Sequence, residues 1–313
     1  MNGTTPGIQI IAPFTAALDW MKMVLFAPFD FVKWLTIAFA AFLAGNINSN
    51  FRFGRFWNAG DWKYSFRRNG EMPWDWDFTP WLIALVAAIV LFVIILSVVW
   101  AWVSSRGRFM FTDCVVKNRG AIAEPWHEFR REGNSYFLFI LAVAFCTFVI
   151  VAIFAAMLWL LFAGRNGDHA SWGGAPVIVC IIVFALFWLV FSLLFALISQ
   201  FMVPVMYRRR CLAREAFVDV AKLILANPGP FILFTLFSVV LFIAVAVIGS
   251  IVACLTCCIG GLPYISTVIL LPAIVWLAAY KLLFIRQFGD AYDVWATVAA
   301  PAAAVEPLPP PAS

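Results

Sequence analysis

The sequence of 313 residues contains little charge and only two histidines. Asp, Glu, Lys and Arg together make up 12% of it, whereas about a quarter of an ordinary soluble protein is charged. So few charges cannot cover the surface of a soluble fold of 35.0 kDa. Disorder is excluded as well, because disordered segments are rich in charge and poor in aromatic residues, and 17% of this chain is aromatic. What remains is a chain that folds in lipid.

Long stretches without a charged residue indicate where the chain crosses a bilayer. A helix needs about 20 apolar residues to span the hydrocarbon, and four of the stretches hold one helix each. The fifth, 223–280, is too long for one helix, and Gly260-Gly261 followed by Pro263 turns the chain near its middle. The sequence therefore predicts an all-α polytopic transmembrane bundle of six spans, at about 33–49, 81–104, 136–162, 176–203, 231–254 and 265–286.

The distribution of basic residues predicts the orientation of these spans. If the N-terminus is inside, fifteen Lys and Arg residues lie on the inner side and six on the outer side. The positive-inside rule then places both termini in the cytoplasm. We expect one transmembrane domain over 1–298 and a disordered tail, rich in Pro and Ala, over 299–313.

A similar short sequence motif follows the second, fourth and sixth spans, where Phe109, Phe201 and Phe288 are each preceded by Arg or Gln. After the first two of these sites come a basic stretch, a short amphipathic helix (124–131 or 212–226) and a turn of small residues (133–135 or 227–230). An amphipathic N-terminal helix, with apolar positions at Ile11, Phe14, Leu18, Met21 and Leu25, completes the pattern. The pattern suggests a helical hairpin used three times. Any basic amphipathic linker could also produce this similarity, and both interpretations stay open.

Basic residues of the inner segments are candidates for contact with lipid headgroups. Amphipathic helices beside basic residues can lie in the headgroup layer of an anionic leaflet. The alternative is that these charges only control topology while the helices pack against the bundle. The candidate residues are Arg106, Arg108, Arg119, Arg208, Arg209 and Arg210.

The sequence offers little to catalysis or metal binding. Cys254, Cys257 and Cys258 have the two-residue spacing that can hold a metal, but both histidines are expected elsewhere. Close packing of small side chains, a disulfide at the outer face and a metal site all remain as interpretations of these cysteines. Motifs of serine hydrolases, phosphate-binding loops and zinc proteases do not occur. We therefore expect no cofactor and no enzyme activity.

The predicted outer loop, 51–78, has ten aromatic residues among five basic and four acidic ones. Trp and Tyr prefer the membrane interface, so this loop is expected to lie on the outer surface of the bilayer. Its role is structural on one interpretation. On the other, stacked aromatic and Arg side chains bind a lipid headgroup or a glycan.

Short motifs that occur in one order along the chain carry a family resemblance. They are LFAPFD at 25–30 with KW at 33–34, RGRFMF at 106–111, FMVPVMY at 201–207, LPY at 262–264 and RQFG at 286–289. Over roughly 8–295 the chain resembles an uncharacterised family of prokaryotic polytopic membrane proteins. More distantly it is similar to the membrane domain of some glycerophosphoryl diester phosphodiesterases. The resemblance implies a six-helix domain in the cytoplasmic (inner) membrane of a prokaryotic cell. It implies no enzyme activity, because the phosphodiesterase domain with its metal ligands is absent.

These observations favour a non-enzymatic membrane module or accessory protein in envelope organisation. The expected partners are membrane lipids, and other membrane proteins or further copies of the chain, with no nucleic acid. A transporter or flippase for lipid-like or neutral substrates is the competing function, although spans two to six carry no charge in their middle. A cavity lined by polar groups would favour the transporter, and a solid bundle packed with Phe would favour the module.

Overall fold

The computed structural model describes residues 9–45, 80–163, 175–255 and 263–296. These ranges are helical apart from short connections and contain no strand, so the prediction of an all-α fold is confirmed for them. The aromatic loop 51–78, the tail 299–313, Cys257 and Cys258 lie outside the described residues. The domain boundary at 298 stays a prediction.

The described ranges contain ten α-helices and a short 3₁₀ turn. They are α1 (Ile11–Phe26), α2 (Phe31–Leu43), α3 (Pro80–Val116), α4 (Ala123–Glu128), α5 (Arg130–Ala163), α6 (Ala175–Arg209), α7 (Ala213–Ala226), α8 (Pro228–Leu255), α9 (Pro263–Ile269), α10 (Leu271–Arg286) and the turn Asp290–Tyr292.

Four of the six predicted spans coincide with helices that are long and apolar enough to cross a membrane. These helices are α3, α5, α6 and α8, and they contain the spans predicted at 81–104, 136–162, 176–203 and 231–254. The predicted span 33–49 differs, because α2 ends at Leu43 after 13 residues. A helix of 13 residues is about 20 Å long, which is less than the thickness of the hydrocarbon, about 30 Å.

The predicted span 265–286 is divided into two helices, α9 and α10, at Leu270. Pro272 explains the break, because it has no N–H to donate to the carbonyl of Val268 four residues earlier. That carbonyl instead accepts a hydrogen bond of 3.2 Å from the indole Nε1 of Trp34 in α2. The proline thus interrupts one helix and the freed carbonyl ties the break to a neighbouring helix.

The molecule consists of a packed region and four apolar segments. The packed region comprises α1, α2, α4, α7, α9 and α10 together with the adjoining ends of α3, α5, α6 and α8. The four apolar segments are the remaining parts of the long helices, 83–100, 141–160, 178–196 and 238–252. In the first of these, every residue from Ile83 to Trp100 is exposed, and Trp100, at its end, packs its ring 5.5 Å from that of Phe42 in α2.

Three helices, α3, α6 and α10, contact one another inside the packed region. Buried Phe side chains fill the space beside them: the ring of Phe201 lies 5.3 Å from those of Phe231 and Phe234, and Phe234 stacks on Phe284 at 4.3 Å. Gly107 lets α2 approach α3, because a Cβ there would lie 2.7 Å from the carbonyl carbon of Leu43. These short distances between rings and between helix backbones show that the interior of the packed region is closely packed.

The predicted amphipathic helices have mixed outcomes. The N-terminal helix and the helix 212–226 are present as α1 and α7. The helix predicted at 124–131 ends at Glu128, because the buried ring of Phe129 turns inward and the next helix begins at Arg130. The turn predicted at 133–135 is wrong: these residues lie within α5. The amide of Asn134 holds a side chain of α3 there and does not form a turn.

Candidate functional site

Polar residues begin at the same end of the long helices where the packed region begins. In α3 the apolar run ends before Ser104 and Ser105, and Arg106 and Arg108 follow. These arginines contact the first two turns of α5, which precede the apolar run of that helix. When the apolar segments lie in a bilayer, this polar layer lies at the level of the lipid headgroups. It is the candidate functional site.

Arg106 is buried and fixed by uncharged partners. Its Nε and Nη2 donate hydrogen bonds to the Asn134 Oδ1 at 3.2 and 2.9 Å. The guanidinium lies 4.4 Å from the ring centre of Trp102 and 4.9 Å from that of Trp126. Cation–π contacts and hydrogen bonds to one amide oxygen hold this side chain at 6% exposure. Arg106 therefore joins α3 to α5 and α4.

Arg108 is held by a tyrosine of the same neighbouring helix. Its Nη1 donates a hydrogen bond of 2.7 Å to the hydroxyl of Tyr136, whose side chain is buried. The guanidinium forms no ion pair within the described ranges. A second partly buried cation, Lys281, belongs to α10, a helix that contacts α3.

Asp113 is the centre of a charged network further along α3. Its carboxylate is fully buried and accepts hydrogen bonds or ion pairs from Lys117 at 2.7 Å, Arg119 at 3.2 Å and the hydroxyl of Tyr207 at 2.9 Å. Two of the partners, Lys117 and Arg119, lie in the connection after α3, and Tyr207 lies near the end of α6. One carboxylate thus holds together three parts of the packed region.

Arg119 is also paired with Glu124, the acidic residue in the first turn of α4. Both terminal nitrogens of Arg119 donate hydrogen bonds of 2.8 Å to this carboxylate. These hydrogen bonds lower the pKa of the Glu124 carboxyl below its usual range, and the same contacts raise the pKa of Arg119. The two-point contact fixes the connection between α3 and α4.

The three consecutive arginines at the end of α6 have different surroundings. Arg209 pairs with Asp219 of α7, and Arg210 pairs with Glu128 and lies 4.0 Å over the ring of Phe129. Arg208 forms no ion pair with any described residue, and its buried Nε has no hydrogen-bond partner there. Of the six candidate arginines, Arg108 and Arg208 alone therefore form neither an ion pair nor a hydrogen bond to an amide within the described ranges.

Sequence patterns identified the six arginines, but two residues of the polar layer were missed. Asp113 is an isolated acidic residue in an otherwise apolar stretch of α3, and its position four residues before Lys117 was the available signal. Lys281 was counted only as a topology signal, although it is the single charged residue between 223 and 285. An isolated charge in such a long apolar stretch marks a functional candidate.

Among the described residues the cysteines add no second site, and a surface pocket belongs to the polar layer itself. Cys254 is exposed near the end of α8, and its predicted neighbours lie beyond the residues with a described position. Within the described ranges, no group of three His, Cys, Asp or Glu side chains could hold a metal. A surface pocket of about 420 Å³ lies between the end of α6 and α7, where Arg209 and Asp219 form part of its wall.

One comparison with known proteins gives a match, to a family of unknown function, DUF7544, over residues 8–305. The chain belongs to this family. The match spans nearly the whole sequence, so membership in DUF7544 describes the packed region and the four apolar segments together. No curated protein and no solved structure matches the chain. The more distant resemblance to phosphodiesterase membrane domains stays a prediction.

Proposed function

We propose that this DUF7544 protein is a non-enzymatic module of the prokaryotic cytoplasmic membrane, which serves envelope organisation by binding other membrane proteins through its apolar segments. The proposal includes six spans and both termini in the cytoplasm, so that the packed region lies at the inner face. The excess of basic residues on that side supports the orientation.

The exposure of the apolar segment of α3 carries this proposal. All residues from Ile83 to Val99 are exposed, which makes nearly five turns of helix before Trp100 packs against Phe42 of α2. Lipid tails alone can solvate such a helix. In a protein whose other end is closely packed, however, an uncovered segment also offers a complete helix surface to partner spans, which associate through van der Waals packing.

The closed packing of the other end supports a module over a transporter. A transport path along the contact of α3, α6 and α10 would cross the cluster of Phe201, Phe234 and Phe284, whose rings lie 4.3 to 6.0 Å apart. Those rings close this direct route through the packed region. A transporter or flippase would need another route, and the charged layer at Arg108 and Lys281 is the feature that favours this second function.

Contacts between the helices support the proposed threefold use of one unit. Each amphipathic helix packs against a helix that carries or directly precedes one Phe motif: α4 on α3, α7 on α6, and α1 on α10, which ends shortly before Phe288. The N-terminal helix α1 thus occupies, beside α10, the position in space that α4 occupies beside α3 and α7 beside α6. Under this proposal the three units surround the contact of α3, α6 and α10.

Photo-crosslinking from the exposed segment tests the proposed function. We expect a photoreactive amino acid at Leu91 of α3 or Leu189 of α6, both exposed, to give discrete protein adducts in native membranes. The matched control carries it at Lys222, an exposed position of α7 in the packed region, and should give none of these bands. Adducts with lipid alone at Leu91 and Leu189 would contradict a binding role for these segments.

A further inference from the structure

The surface pocket between the end of α6 and α7 has the size and the lining of a ligand site. Its volume of about 420 Å³ lies within the range of small-molecule sites, about 300–1,000 Å³. Six residues line it: Arg209 and Cys211, at and after the end of α6, and Arg214, Glu215, Val218 and Asp219, which share one face of α7.

The lining carries two positive and two negative side chains. Arg209 and Asp219 form an ion pair with each other, in which the Asp219 Oδ2 accepts a hydrogen bond from the Nη1 of Arg209. Arg214 and Glu215 form no ion pair with any residue of the described ranges. The pocket therefore offers one unpaired cation and one unpaired anion to a ligand, beside the donors of Arg209 that Asp219 does not use.

This mixture of charges indicates a zwitterionic ligand. A phosphate anion without a positive charge would meet the carboxylates of Glu215 and Asp219, and a simple cation would meet the two guanidinium groups; like charges brought together in this way oppose binding. A ligand that carries a phosphate and an ammonium a short distance apart satisfies all four side chains. The exposed side chain of Val218 adds an apolar wall.

Contacts of α7 place the pocket at the level of the lipid headgroups. The ring of Phe217, next to Val218 in sequence, lies 5.3 Å from Phe139 of α5 and 6.4 Å from Phe195 of α6. Both of these residues lie at the inner ends of the apolar segments 141–160 and 178–196. An amphipathic helix at this boundary lies between hydrocarbon and water.

We propose that the pocket binds the headgroup of an ethanolamine phospholipid, whose acyl chains lie along the apolar segment of α6. Arg209 and Arg214 hold the phosphodiester, because a guanidinium donates hydrogen bonds to phosphate oxygens in a fixed geometry. Glu215 and the free Oδ1 of Asp219 accept hydrogen bonds from the primary ammonium. A choline headgroup has no N–H to donate, and a glycerol headgroup has no positive charge.

The site goes beyond the proposed function, because it is measured on the purified protein without a partner. Crosslinking at Leu91 and Leu189 can fail while headgroup binding holds, and the reverse. The full-length protein is studied in detergent micelles with added phosphatidylethanolamine, phosphatidylcholine, phosphatidylglycerol or soluble glycerophosphoethanolamine, and thermal unfolding is followed for each. We expect phosphatidylethanolamine to raise the Tm of the wild type most.

Glu215→Gln tests the recognition of the ammonium, because glutamine keeps the shape of the side chain and removes its charge. The apparent Kd for phosphatidylethanolamine should become about fivefold weaker, while that for phosphatidylcholine stays unchanged. The control Asp19→Asn removes an exposed carboxylate of α1, far from the pocket lining, and should change neither.

Arg214→Gln tests the recognition of the phosphodiester, which both lipids share. It should weaken the binding of phosphatidylethanolamine and of phosphatidylcholine alike, by about fivefold. The control Lys222→Gln removes an exposed cation of the same helix that does not line the pocket, and should leave both affinities unchanged. Without lipid, both pocket variants should unfold at the Tm of the wild type.

Four results would overturn the proposal. Equal responses of the wild type to phosphatidylethanolamine and phosphatidylcholine would mean that the ammonium is not recognised. A larger response to phosphatidylglycerol would make the ligand an anionic lipid. An equal rise in Tm with glycerophosphoethanolamine would make it a soluble compound. A lower Tm of Glu215→Gln or Arg214→Gln without lipid would give these side chains a structural role.

Discussion

Replacing Asp113 with alanine should lower the free energy of unfolding by about 3 kcal/mol. The carboxylate is fully buried, and its removal leaves the hydroxyl of Tyr207 without its acceptor and two cations without one of their partners. The cost lies at the lower end for a broken buried ion pair, because Lys117 and Arg119 keep contacts with Glu128 and Glu124. Thermal unfolding of the purified protein in detergent measures the effect.

Asp219→Ala is the matched control for this experiment. It also removes one arginine–carboxylate pair, but Arg209 and Asp219 are 42% and 30% exposed, and an exposed pair contributes less than about 1 kcal/mol. The loss of Tm in Asp113→Ala should therefore be about three times that in Asp219→Ala. Similar losses in both variants would show that Asp113 does not hold the packed region together.

Replacing Phe92 with arginine should reduce insertion into the membrane strongly. Phe92 lies in the middle of the apolar segment of α3, and its side chain is 65% exposed. If that segment faced water, the substitution would cost little. In a bilayer, an arginine at the centre of a span costs about 2.5–3.5 kcal/mol. The fraction of protein in the membrane pellet after alkaline extraction measures the difference.

Val218→Arg on α7 is the control for Phe92→Arg. Val218 is also an exposed apolar residue, at 42%, but it belongs to the packed region beside the basic residues of the inner side. An arginine there should leave membrane insertion unchanged. Equal tolerance of both substitutions would mean that α3 does not cross the hydrocarbon at Phe92.

Composition alone located those spans whose apolar residues form a helix longer than the hydrocarbon of the bilayer is thick. In α3, α5, α6 and α8 the runs are long, and no tertiary contact is needed to predict a helix. The division of the predicted span 265–286 at Leu270 was harder to predict, because Pro272 alone does not decide between a kinked helix and two separate helices. The contact that favours the break is the hydrogen bond from Trp34, 234 residues away in sequence, which no local pattern reveals.

In the candidate site, too, the sequence identifies the charged residues, whereas only the structure identifies their partners. Clusters of arginine after each apolar run were visible in the sequence, but their partners were not. Arg210 meets Glu128, 82 residues earlier, and Tyr207 meets Asp113, 94 residues earlier. These contacts, together with the shorter-range pairs of Arg119 and Arg209, separate the arginines that hold the fold from Arg108 and Arg208. Lys281 was overlooked because a lone lysine near the end of a span resembles a topology signal.

A structure of the protein in a lipid nanodisc that contains an anionic phospholipid tests the central claim most directly. The account predicts a closed packed region, with the Phe201, Phe234 and Phe284 rings in contact and the bilayer around the uncovered segment of α3. A continuous water-filled path between α3, α6 and α10 would contradict it and would make the protein a transporter.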